Sequence, residues 1–510
     1  MTSIESVGEF YQLSWLTSSG MAIALMRRRC AYSEWSFCFA LRRAAATGES
    51  AMANNLSHDL VPNAVARTAP TPPENPYLSS GNFAPVFGET TAVDLRVRGR
   101  IPEELDGRRV CIGPSPIGPR DPALYHWFTG TGLVHGLRLR GGRADWFRSR
   151  FTLSADAAEA LGKPAISGPG PAQLPVNTSI AIVGGRVHAV VEAGANPIEL
   201  DYELNSVSRS DFGGTLQGGF TAHPKGDPTT GELVAITYDP SRPTLRYVAV
   251  NASGRAETRA DIPMPHQPMV HDVGLTERFV IVLDLPVTFQ PQKHPGHVFP
   301  YFWNGERPAR VGLLPRNGDL DGLAWFEVPA CFVFHIVNAY ETASGDVVMD
   351  VIRHPRSFDL HPNWPDEGVR WTLDRARGLA SERLLDDHKG EFPRINDAYG
   401  TRDYRFAYSA HWWGDRASNG PAYKHDVRAA RTEVHDFGPG CAAMEPVFVP
   451  RVGATDEDDG YVILYVYNAA RGASEVVILA AQDFAGAPLA VVELPVRVPF
   501  GFHGAWVPDA

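Results

Sequence analysis

The sequence predicts an all-β chain closed into one large domain of the propeller kind, and three observations carry that reading. Apolar residues recur with the two-residue period of strands through most of the chain, helical periodicity is scarce, and four histidines in hydrophobic or aromatic settings are too far apart to meet on any local element. LRLRGGRADWF, IAIVGGRVHAVVEAG, LRYVAVNASGRAETRADI, FVIVLDLPVTF and YVILYVYNAARGASEVVILAA are strand-like runs broken by Gly, Asn or Asp. In the first two, GG supplies the positive φ that a tight hairpin requires, and NASG does so in the third. Many such units with interrupted spacing suggest a propeller, whose axis is a place where distant residues converge. The sequence shows no clean repeat, so periodicity does not set a blade number. Two segments are allowed as helices, LSADAAEALG and WTLDRARGLASERLL.

Residues 1–75 are expected to be a separate extension, disordered or dispensable, and 76–510 a single domain. TAPTPPENPYLSSGN is a proline-rich, linker-like stretch. Upstream, MAIALMRRRCAYSEWSFCFALRRAAA is arginine-rich and acid-poor, as transit peptides are, with apolar runs too short to span a membrane. The preferred reading is an over-extended start, with Met52 as initiator and disorder, or at best a loosely attached helix, before about Pro73.

The chain's 510 residues include 44% hydrophobic and 21% charged residues with 48 Gly and 42 Pro, enough for a large core and many turns. A net charge of −11, with no Lys/Arg-rich run in the body of the chain, argues against a nucleic-acid partner. Cys30, Cys38, Cys111, Cys331 and Cys441 are odd in number and form no CxxC pair, which fits free thiols in a reducing cytoplasm.

The four histidines are His223 in FTAHPKGDP, His271 in MVHDVG, His335 in FVFHIVNAYE and His503 in VPFGFHGAW, separated by 48, 64 and 168 residues. No two share a helix or hairpin, which excludes helical zinc motifs and zinc fingers. Imidazole suits Fe, Cu, Zn and Ni alike, so residue type leaves the metal open. His126, His135, His188 and His435 are read as non-ligands, although EVHDFGPG around His435 repeats the His-Asp pair of MVHDVG.

These blocks, in order and with RIPEELDGRRVCIGPSPIGP and YHWFTGTGLVHGLRLRGGRADWFRSRF before them, resemble the carotenoid cleavage oxygenase family, which includes lignostilbene dioxygenases and retinoid isomerohydrolases. The resemblance runs from about Gly81 to the C-terminus. It implies a seven-bladed propeller with a loop and helix cap over an axial iron site, part of the cap falling between His335 and His503. For WTLDRARGLASERLL it implies strand with a polar turn as the alternative to helix. It further implies one Fe(2+) per subunit held by His223, His271, His335 and His503, with these four as the catalytic set. Glu192, Glu391 and Glu445 would each fix one imidazole; a metal-bound imidazole needs its other N–H held, and a carboxylate does this. O2 would be the co-substrate, with no organic cofactor.

The implied reaction is oxidative cleavage of a carotenoid or apocarotenoid C=C bond to two carbonyl products. A stilbene or phenylpropene dioxygenase is the second reading, and a non-cleaving isoprenoid isomerase or binding protein the third. Lignostilbene-type members place a lysine soon after the block that ends here in RSRFTLS; Leu153 stands near that position, which favours a polyene. The family's FDGDG and RNGPNP appear as FTGTG and CIGPSP, changing turn residues away from the histidines. The aromatic clusters FPYFW, LAWF and SAHWW are candidate tunnel walls, with no single substrate-binding residue named. The partner expected is a lipophilic small molecule, with no obligate protein partner. The protein would be cytoplasmic and in transient peripheral contact with membranes, where such a substrate resides.

Overall fold

Seven sheets of four or more strands follow one another along the chain, and together they make a seven-bladed β-propeller. The computed structural model describes residues 75–79, 81–117, 125–292, 299–358, 366–388, 390–411 and 420–509. The expectations for residues 1–74, including the initiator and the transit-peptide reading, lie outside the described residues.

Blades 2 to 6 begin with Ser179–Val183, Lys225–Gly226, Gly274–Leu275, Phe332–Glu341 and Gly390–Ile395, each an edge strand of its sheet. The other two blades are composites of distant segments. In blade 1, Gly504–Pro508 pairs antiparallel with Gly107–Pro114, while Thr90–Ala92 lies on the opposite edge. In blade 7, Arg96–Gly99 pairs with Ala490–Glu493 and supplies the far edge. Early and late segments are thus exchanged across the seam, and the ring closes by ladder hydrogen bonds.

Central strands read as near-continuous apolar runs because both of their faces are covered by neighbouring blades. All eight residues of Gly107–Pro114 are buried, as are the first seven of Gly460–Asn468. Outer strands lose one neighbour and become polar, as in LASERLLD at Leu379–Asp386. The GG hairpins form as the sequence predicts: Gly141 and Gly142 have φ of 54° and 75°, Gly184 and Gly185 55° and 75°, matching two-residue turns with both φ positive.

The segment LSADAAEALG folds as the helix Ala155–Leu161, with the Ser154 side chain accepting from the Ala157 N–H and Gly162 ending it at φ 62°. WTLDRARGLASERLL takes its strand alternative. Glu367–Asp374 pairs with Val347–His354 and buries Trp371 completely, and a polar turn with Gly378 at φ 68° returns the chain to Leu379–Asp386. Burial of one large aromatic between sheets outweighs the helical propensity of the Arg/Ala/Leu-rich stretch. The long interval between His335 and His503 is mostly blades: its described residues finish blade 5 and build blades 6 and 7. Residues 359–365 and 412–419 within it, including Trp412 and Trp413 of SAHWW, lie outside the described residues. Among the described residues, no helix is long and apolar enough to cross a membrane.

The seam is tightest at Gly113, where a Cβ would stand 2.2 Å from the Gly501 Cα. Gly113→Ala should therefore displace the backbone leading into His503 and cost about 1–3 kcal/mol. Urea unfolding should show a lowered midpoint, with metal occupancy falling in the same variant. An unchanged midpoint would show that the seam yields freely.

Candidate metal centre

The four histidines arrive from four blades on or beside first-strand edges. His223 lies two residues before Lys225–Gly226, His271 three before Gly274–Leu275, and His503 directly before Gly504–Pro508, while His335 is within Phe332–Glu341. At His335 the ladder slips: pairing steps from Val333↔Arg353 to Ile336↔Val351, a bulge that turns the side chain out of the regular alternation. The His503 segment is pinned on both sides. Its N–H donates to Thr178 O at 3.1 Å, and its carbonyl accepts from Ile112 N at 3.0 Å.

One ring nitrogen from each histidine falls in a single cluster, all within 4.8 Å of one another. The Nε2 atoms of His223 and His271 are 3.0 Å apart, and those of His335 and His503 3.1 Å.

Three of the four rings are held from behind by the three glutamates singled out in the sequence. His271 Nδ1–H donates to Glu192 at 2.6 Å, His503 Nδ1–H to Glu445 at 2.9 Å, and His335 Nδ1–H to Glu391. These bonds fix the tautomer. With the protons of His335 and His503 on Nδ1, two Nε2 lone pairs face each other at 3.1 Å, an arrangement that is repulsive unless a cation lies between them. The donor set therefore fits a metal ion. Among the described residues, no glutamate hydrogen-bonds the His223 ring; the His223 backbone N–H donates to Thr221 Oγ1 at 3.3 Å.

Electrostatics favour neutral His223 and His503 and ionised Glu391 and Glu445. Burial, with the neighbouring imidazoles, holds His223 well below its usual value; burial takes His503 down to about 4, with Glu445 opposing. Burial also opposes protonation of His271, yet the Glu192 charge and hydrogen bond outweigh it and raise that ring. Glu445 is fully buried but brought down to about 2, because Arg394, His503 and Arg109 overcome its desolvation. The same competition, with His335 and His354, holds Glu391 far below the carboxylate range.

Several supporting residues were not foreseen. His354 Nε2–H donates to the second oxygen of Glu391 at 2.7 Å, Tyr238 Oη–H to Glu192 at 3.2 Å, and Arg394 to Glu445 at 3.4 Å. Arg109, wholly buried, donates to the Glu445 carbonyl at 3.0 Å. Asp272, beside His271, accepts from Lys225 Nζ at 2.9 Å and Ile336 N at 2.8 Å, joining three blades. Only Asp272 had a sequence signal, the His-Asp pair. Glu192 and Glu391 each precede a non-glycine residue at positive φ, Ala193 at 61° and Phe392 at 57°, so local backbone strain accompanies both carboxylates.

His126, His135, His188 and His435 lie outside the cluster; His435 Nδ1–H donates to Phe484 O at 2.9 Å, a packing role. FTGTG forms a short turn in which Thr129 Oγ1–H donates to His126 O at 2.8 Å, so threonine serves that turn without an acid. CIGPSP, expected to lie away from the histidines, instead reaches one of them, because its Ile112 N–H donates to the His503 carbonyl. Leu153 stands between the strand Arg143–Phe151 and the helix Ala155–Leu161. An aromatic wall leads from the cluster: Phe334 is 5.4 Å from the His271 ring, followed by Phe358 at 5.5 Å and Phe299 at 5.3 Å. Of the aromatic blocks, FPYFW contributes Phe299 to this wall. In LAWF, Trp325 instead packs under Arg310.

Glu391→Gln preserves shape while replacing an acceptor pair with a mixed amide. Metal affinity, read by competition with a chelator, should fall about 10–100-fold with the fold intact. Unchanged affinity would mean that the carboxylate does not orient His335.

A family model described as retinal pigment epithelial membrane protein matches residues 83–508. A carotenoid cleavage oxygenase of Mycobacterium tuberculosis is 38% identical, over 85% of this chain and 98% of its own. A variant of Synechocystis apocarotenoid oxygenase superposes with a TM-score of 0.73 at 26% identity, covering 84% of this chain and 98% of that one. The lignostilbene dioxygenase of Pseudomonas brassicacearum gives 0.77 at 26% identity, over 87% and 100%. Matched along nearly the whole of its propeller, the chain belongs to the family of the retinal pigment epithelial membrane protein and the carotenoid cleavage oxygenases, enzymes that incorporate oxygen.

Proposed function

We propose that the protein is a non-haem iron(II) dioxygenase that cleaves a C=C bond of a carotenoid or apocarotenoid into two carbonyl products. The observation that carries this reading is the four-imidazole cluster, three of whose rings are backed by glutamates. His223, His271, His335 and His503 would hold one iron per chain and form the catalytic set, while Glu192, Glu391 and Glu445 keep three imidazoles in the ligating tautomer. Bound there, iron(II) supplies the means of activating dioxygen. Four neutral ligands leave the cation's charge uncancelled and coordination positions open, whereas a two-His-one-carboxylate site carries an anionic ligand.

The chain's own part is positioning and exclusion of water. The wall formed by Phe334, Phe358 and Phe299 offers an apolar face to a polyene beside the cluster. Cleavage balances without a reductant: the alkene supplies the electrons, and one O2 provides the oxygen atoms of both carbonyls. No organic cofactor is needed. A lipophilic substrate of this class resides in membranes, so a cytoplasmic protein in transient peripheral contact with a bilayer is the working picture.

Leu153, near the position where lignostilbene-type members place a lysine, favours the polyene. The likeness to the Pseudomonas lignostilbene dioxygenase keeps a hydroxystilbene or phenylpropene as the second substrate class. An isoprenoid isomerase or binding protein would use the same cluster without forming paired carbonyls.

Iron(II)-loaded protein incubated aerobically with apocarotenals, full-length carotenoids, hydroxystilbenes and phenylpropenes should yield paired carbonyl fragments from the polyenes by LC-MS. Fragments from the phenolic compounds alone would move the protein to the second class. No cleavage with iron bound would leave binding or isomerisation. His271→Ala should abolish both iron content, measured by elemental analysis, and turnover; full activity in that variant would remove the cluster from the reaction.

A further inference from the structure

Three of the clustered imidazoles have a glutamate on the far nitrogen; among the described residues His223 has none. Its backbone is also lightly held. Upstream, Phe220 N donates to Ala195 O at 3.0 Å, and downstream the strand Lys225–Gly226 pairs over two residues, with Val234 and Leu233. Between these points the His223 N–H reaches no further than Thr221. His335, by contrast, lies within a ten-residue strand, and His503 is bonded on both sides.

A charged pair that crosses blades supplies an anchor for the His223 segment. Lys225, two residues after His223, places its Nζ 2.9 Å from the carboxylate of Asp272, the residue after His271. The same Asp272 oxygen accepts at 2.8 Å from the N–H of Ile336, the residue after His335, and Lys225 Nζ donates to the Ile336 carbonyl at 3.4 Å. The other Asp272 oxygen accepts from Val273 N at 2.7 Å. Ile336 stands at the bulge, where the ladder of its strand is interrupted, and the pair takes up both of its backbone groups.

The pair thereby joins three ligand-bearing segments through atoms one or two residues from each imidazole. Asp272 is fully buried, so its charge depends on Lys225 and the two backbone donors. Each glutamate orients a single ring; this pair governs the spacing between rings.

We propose that Lys225 is a positioning residue of the metal centre: anchored on Asp272, it holds His223 in place and stands in for the carboxylate that His223 lacks. The assignment rests on the cluster holding a metal, as the proposed function requires, and is independent of which alkene is cleaved.

The test is the zinc affinity of full-length protein stripped of metal, read by competition with a chromophoric chelator in a double-mutant cycle. Lys225→Met should weaken zinc binding about tenfold or more, as loss of a supporting contact does, and Lys225→Arg should keep most of the affinity. In a His223→Ala background Lys225→Met should cost less than about twofold, whereas beside His503→Ala it should still cost about tenfold. A general loosening of the fold would weaken both backgrounds alike. With cobalt(II), the visible absorption of Lys225→Met should approach that of His223→Ala. Urea midpoints of the metal-free chains identify folded variants, and Lys225→Gln replaces Lys225→Met in the cycle where the latter does not fold. Unchanged zinc affinity in the Lys225 variant, or a loss of about tenfold that persists without His223, would overturn the proposal. Zinc binding is read without substrate or oxygen, so a failed cleavage reaction leaves this result intact; an unaltered protein that binds neither zinc nor cobalt would overturn both readings.

Discussion

The ladder between Gly504–Pro508 and Gly107–Pro114 is the constraint on which the remaining structure depends. A propeller blade has two faces and two edges, and only a closed ring covers all its faces while leaving its first strands around a common axis. Because the pairing residues are nearly four hundred positions apart, closure couples every blade to every other. It also fixes the backbone that carries His503, through the bonds to Ile112 and Thr178. The place of His503 in the cluster and the closure of the ring therefore rest on the same segment.

Around the axis, the dominant cost is burial of charge. Glu391 and Glu445 sit in full burial, where a lone carboxylate would take up a proton. Each is kept ionised by several donors. Glu391 accepts from two imidazoles and from Phe392 N at 2.8 Å, and Glu445 from an imidazole, from Gly504 N at 2.7 Å and from Arg394. Arg109 lies behind Glu445 with its guanidinium 3.8 Å from the carboxylate. The network orients three of the imidazoles without placing a carboxylate among the four clustered nitrogens.

Much of this was legible before the structure, and for identifiable reasons. Hairpins such as Arg140-Gly-Gly-Arg143 declare themselves because positive φ selects glycine locally. The histidines and glutamates stood out through ordered sequence blocks resembling a known family, and the structure brings those seven side chains together. Partners set by register across sheets had no such signal. His354 meets Glu391 because Phe332 pairs with His354 at the start of blade 5, and nothing near position 354 announces it. The segment containing Trp371 was ambiguous for a related reason: local propensity favours helix, and only the neighbouring sheet decides for strand. Arg109 resembles any other strand arginine until the fold buries it.

The exchange of segments at the seam also orders events in time. His223, His271 and His335 emerge on three separate blades, no two of them close enough along the chain to chelate an ion locally, and His503 follows on the stretch that enters the closing strand. A growing chain thus exposes scattered monodentate imidazoles, which hold divalent ions weakly and exchange them quickly. The four nitrogens come within reach of one another only when the circle is joined. Topology thereby delays assembly of the four-imidazole cluster until the ring is closed.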